Sequence, residues 1–146
     1  MKTPFVKRAL RLTTAAAALA GINLAATTLY VSLDSLNPSP PFNTWPTAAT
    51  NIQQAVDAAS AGDEIVVTNG VYRVGTVETN GLNRVALTKA VVVRSVSGQE
   101  VTVIEGATNG VRCAYVGNGA LLSGFTLTKG CATGDWPKDN GGGGLL

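Results

Sequence analysis

Asn51-Ile52-Gln53-Gln54-Ala55-Val56-Asp57-Ala58-Ala59-Ser60-Ala61-Gly62-Asp63-Glu64-Ile65-Val66-Val67-Thr68-Asn69-Gly70-Val71-Tyr72 is the stretch around which this chain is organised. Ile52, Ala55, Val56 and Ala59 fall at i, i+3, i+4 and i+7, so they make one apolar stripe on a helix. Gln53, Gln54, Asp57 and Ser60 face elsewhere, and Gln53 and Asp57 are expected to stay in water. Thr50 or Asn51 is placed to accept from a free amide of the first turn, and Gly62 offers the backbone freedom that ends the last one. Ile65, Val66 and Val67 then form a short β-branched run closed by the turn pair Asn69-Gly70.

Downstream there is no second amphipathic helix. Short apolar runs follow at Val85–Leu87, Ala90–Val93, Val101–Ile104, Val111–Val116 and Leu121–Leu127. Asn80-Gly81, Ser97-Gly98, Asn109-Gly110, Gly117-Asn118-Gly119 and Lys129-Gly130 part them with turn chemistry. Phe125 and Leu127 alternate with Thr126 and Thr128; Val111, Cys113 and Tyr115 alternate with Arg112 and Ala114. Such alternation predicts one face inside and the other in water. Regular short strands also describe a β-sandwich or barrel. The lone helix precedes the runs, however, where it would close the open end of a stacked coil.

The run Trp45-Pro46-Thr47-Ala48-Ala49-Thr50 leading into the stretch above, together with Leu122-Ser123-Gly124-Phe125-Thr126-Leu127-Thr128-Lys129-Gly130, resembles secreted bacterial proteins of the pectin lyase-like superfamily. The resemblance covers about Tyr30 to Leu146. It implies an all-β chain: a right-handed parallel β-helix, or solenoid, with an N-terminal capping α-helix over its first rungs, in residues 27–146. It is weak for activity, because that superfamily holds lyases, hydrolases, esterases, epimerases and non-catalytic surface proteins. In its lyases a calcium or other cation neutralises a uronate carboxylate while a basic side chain takes the adjacent proton. Those groups lie on middle rungs, so no catalytic residue is carried over here. After Gly141-Gly142-Gly143-Gly144, Leu145-Leu146 begin as another inward-facing strand would. The chain is therefore expected to be the N-terminal piece of a longer protein; the alternative is a short protein that hides an open end by self-association.

Lys2, Lys7, Arg8 and Arg11 precede an uncharged stretch rich in Leu and Ala, with small residues at Ala18, Ala20, Ala25 and Ala26. This describes a secretory signal peptide over residues 1–26; a membrane anchor is the competing reading, weakened by the Thr, Ser and Asn residues within the stretch. Removing its four cations turns the formal charge of +2 into seven cations against nine acids. The remaining basic residues, Arg73, Arg84, Lys89, Arg94, Arg112, Lys129 and Lys138, are scattered and expected to be solvated. No nucleic-acid partner is expected, and no membrane contact after cleavage. Secretion or display at the cell surface follows. Cys113 and Cys131 would pair in an oxidising compartment or remain buried thiols. Asn37 to Pro46 carries four prolines and is expected to wrap the surface with Phe42 and Trp45 as apolar pins.

There is no histidine, which excludes Ser-His-Asp, Cys-His and His-metal sites. Asp135, Trp136 and Lys138 make a candidate sugar-contacting loop, with Trp136 stacking on a ring and Lys138 meeting a uronate; a solvated turn is the plainer reading. The aromatic pair Phe42 and Trp45 could also bind sugar, with anchoring of their loop the plainer reading. Two carboxylates alone do not gather the six to eight oxygens of a calcium site. No metal or cofactor is expected in this chain, and calcium enters only through the resemblance, in a full-length protein. The expected function is binding, and in the full-length protein cleavage, of extracellular polysaccharide. A non-catalytic adhesive surface protein is the alternative.

Overall fold

The computed structural model describes residues 25–132. Helix α1 (Ile52–Ala58) forms where the apolar stripe places it, with Ile52, Ala55 and Val56 buried. Asn51 is its N-cap: the side-chain oxygen accepts from the Gln53 amide at 2.7 Å. The other end differs from expectation. The helix stops at Ala59 in extended backbone, and Gly62 (φ +95°) sits beyond it in a turn, donating its N–H to the Ala90 carbonyl at 2.7 Å. The open carbonyls are taken by a distant lysine. Lys89 Nζ donates to the carbonyls of Val56, Asp57 and Ala59 at 3.0, 2.9 and 2.7 Å, placing a cation at the negative end of the helix dipole.

The strands are β1 (Thr28–Val31), β2 (Glu64–Val67), β3 (Gly70–Tyr72), β4 (Val77–Glu78), β5 (Leu82–Leu87), β6 (Val92–Ser95), β7 (Thr102–Glu105), β8 (Arg112–Val116), β9 (Leu121–Ser123) and β10 (Thr126–Thr128). They pair in the orders β1-β2-β6-β9, β3-β7-β10 and β4-β5-β8. The first two sheets are parallel throughout; in the third, β5 runs parallel to β8 and antiparallel to β4.

This corrects the expected fold. The all-β right-handed parallel β-helix with a capping helix is replaced by three small sheets, two parallel and one mixed, and no solenoid or closed sheet is found among the described residues. Part of the reason lies in Asn80-Gly81, with φ +49° and +106°, which folds β4 back on β5 as a hairpin, where a coil needs the chain to move on. The strand β1 precedes the helix, near the edge strand that the sequence suggests at Tyr30–Leu33, and α1 packs on β1, β2 and β5.

Parallel pairing aligns like with like. Leu29, Ile65, Val93 and Leu122 stand side by side across the first sheet, and Tyr72, Ile104 and Leu127 across the second. These rows, with Val31, Val67, Val85 and Leu87, meet the helix stripe in one core. Each fully buried Val, Leu or Ile contributes about 1.5–3 kcal/mol, so short strands suffice. In β8 the expected alternation fails: Arg112, Cys113 and Ala114 are all buried. Arg84 is buried too, at 8 % exposure, so two of the scattered cations are interior groups.

Candidate functional site

From β1 the chain leaves at Val31, wraps through the proline-rich loop, and returns at Ala49, which bridges to Val31. Backbone bonds clamp both ends: Ser32 N–H to Ala49 O at 2.8 Å and Ala49 N–H to Tyr30 O at 2.9 Å. Inside the loop Phe42 is buried as an apolar pin, and its carbonyl accepts from the Tyr30 amide at 2.7 Å. Trp45 does something else. It opens a 3-10 turn (Trp45–Thr47), and its side chain remains 42 % exposed. Its ring centroid lies 4.4 Å from that of Tyr30 at an interplanar angle of 51°.

The tryptophan borders a cleft of about 310 Å³ whose other walls include Ser32, Asp34, Ser35 and Asn37. Ser35 Oγ is buried there without a hydrogen-bond partner. A buried hydroxyl left unmade is costly unless something else satisfies it. An aromatic plate beside a carboxylate, an amide and hydroxyls suits a ligand with apolar faces and a polar rim. The expectation treated Phe42 and Trp45 as a matched pair of pins; their burial separates them. Exposure is a tertiary property, and the signal in the sequence was only an aromatic pair in a loop, which could bind sugar or anchor the loop.

A second cleft, of about 300 Å³, opens between the start of α1, the end of β3 and β5. Ile52, Tyr72, Val74 and Val85 supply apolar wall, and Arg73 and Arg84 supply charge. Arg84 is held by three carbonyls: Nε donates to Glu105 O at 2.8 Å, Nη2 to Gly106 O at 3.2 Å, and Nη1 to Gly75 O. Burial pulls its pKa below the ordinary value, although Cys113 and Glu105 act in the opposite direction. Tyr72 donates to Thr68 O at 2.9 Å; burial pushes the phenol up, and Asp34 adds to that.

Asp135, Trp136 and Lys138 lie outside the described residues, as do residues 1–24 of the expected signal peptide. Among the described residues no group of three or more His, Cys, Asp or Glu is gathered as a metal site. Cys113 and Cys131 are both free thiols. Cys113 donates to Thr128 O at 3.1 Å, and burial raises its pKa. Asp63 is buried for a structural purpose, accepting from the amides of Thr27 at 2.8 Å and Ser60 at 2.7 Å. No protein-family model, curated protein or solved structure matches this chain. Among the described residues no helix is long and apolar enough to cross a membrane.

Proposed function

We propose that this chain is the carbohydrate-binding part of an exported protein, and that it holds extracellular polysaccharide on the Trp45 cleft. The observation that carries the reading is the half-exposed Trp45 ring, braced by Tyr30, beside a polar cleft that contains the unpartnered Ser35 hydroxyl. A pyranose presents an apolar C–H face and a rim of hydroxyls. The first stacks on an indole, and the second exchanges hydrogen bonds with Asp34, Ser35 and Asn37. The N-terminal basic and apolar segment supports export.

Binding is the whole of the assigned activity. The test is a titration with neutral and acidic oligosaccharides, followed by tryptophan fluorescence in a Trp136→Phe background so that Trp45 alone reports. Saturable quenching is expected, and Trp45→Ala, followed by calorimetry, should weaken binding at least about tenfold, as removal of an aromatic anchor does. Absence of saturable binding across both classes of sugar would overturn the reading.

A further inference from the structure

The second cleft shares no lining residue with the Trp45 cleft, and its chemistry is different. Its two charged walls are both arginines, Arg73 and Arg84, and no acidic side chain lines it. Arg84 is more than nine-tenths buried, yet every protein acceptor it meets is a neutral carbonyl. A guanidinium has five N–H donors, so three bonds to carbonyls leave two N–H groups over, and among the described residues no carboxylate is hydrogen-bonded to the charge. Glu105 favours the Arg84 charge from a distance, but its carboxylate is paired with Lys129 Nζ at 3.1 Å. Arg73 is exposed at the rim and has no ion pair among the described residues. Burying a cation without an anion is unfavourable, and it is the planar fork of arginine that receives a carboxylate by two parallel bonds.

The rest of the wall is apolar: Ile52, Val85, the Tyr72 ring and Val74. The rim is held in place from both sides. Asn51 Nδ2 donates to Val74 O at 2.8 Å, and Arg84 Nη1 donates to Gly75 O next along the chain. The opening is therefore a fixed feature of the fold, sized for a small molecule.

We infer that this cleft binds a small organic carboxylate with an apolar body, the carboxylate on Arg84 and Arg73 and the body against Ile52, Val74 and Val85. The site is separate from the Trp45 cleft, and its failure would leave the sugar reading untouched.

The probe is benzoate, added to the full chain and followed by amide and methyl NMR shifts, with benzyl alcohol as the neutral counterpart and glucuronate as the carboxylate with a hydrated body. Benzoate should shift Tyr72, Val74 and Val85 saturably, with the other two at least about tenfold weaker. Val74, 75 % exposed at the rim, gives a test that leaves the clamp on Gly75 intact. Val74→Glu should weaken benzoate and Val74→Lys should strengthen it, each about three- to tenfold, and Arg73→Gln should weaken it by a similar factor. Equal binding of benzyl alcohol would overturn the role of the arginines, and equal binding of glucuronate would overturn the apolar body. Saturable shifts confined to other residues, or none, would overturn the site.

Discussion

At the scale of the residue, the turn after β3 shows how much rests on one missing side chain. Gly75 has φ +85°, and a Cβ built on it would stand 2.5 Å from Asn51 Nδ2, the atom that holds Val74 O. Gly62 has a similar φ of +95° but nothing within 4 Å of its would-be Cβ. Both substitutions to alanine strain the backbone, at about 1 kcal/mol. Only the one at Gly75 also displaces the helix N-cap and the carbonyl that Arg84 holds. Gly75→Ala should therefore destabilise the fold by about 2–3 kcal/mol in urea titration against about 1 kcal/mol for Gly62→Ala. Equal losses would mean that the Asn51 contact carries no weight. Both glycines are plain in the sequence, but their difference is not. Asn51 and Gly75 are 24 positions apart, and no local pattern joins them.

At the scale of the element, α1 is seated by polar bonds as well as by its stripe. Gln53 was expected in water, yet its Oε1 accepts from the Ala86 amide at 2.7 Å and its Nε2 donates to Ala86 O at 3.4 Å and to Asp57 Oδ1 at 2.8 Å. The side-chain amide thus occupies the stretch of the β5 edge that β4, paired only at Asn83 and Leu82, does not reach. Gln53→Leu should cost about 1–3 kcal/mol and speed hydrogen exchange at the Ala86 amide, while Gln54→Leu, on the exposed side, should change neither measurably. Matching effects from the two would remove the edge-sealing role. Helical spacing placed the stripe correctly because it depends on neighbours in the chain. It is silent on which polar residue meets a strand 33 positions away.

For the molecule as a whole, burial of two weak acids sets its response to alkali. The thiol of Cys113 and the phenol of Tyr72 ordinarily lose their protons near 9.0 and 10.0, and burial raises both in the folded state. Above those values the unfolded chain has released protons that the folded chain still holds, so stability falls as pH rises. Stability should be level from neutral pH to about 9 and then decline, and Cys113→Ala should remove the part of the decline that begins near 9. A flat profile to pH 11 in urea titrations would contradict the burial of these groups. The sequence alone determined the helix stripe, a cap at Thr50 or Asn51, the positions of most strands and the absence of histidine chemistry. All of these follow from local periodicity, turn residues or composition. Tertiary structure decided the rest: three small sheets in place of one coil, the burial of Arg84 and Arg112, and the exposure of Trp45 while Phe42 is buried. The physical reason is common to all three. Pairing partners, burial and the satisfaction of charge depend on residues far apart in the chain, and two aromatic or two basic residues alike in sequence differ only in what the fold brings against them.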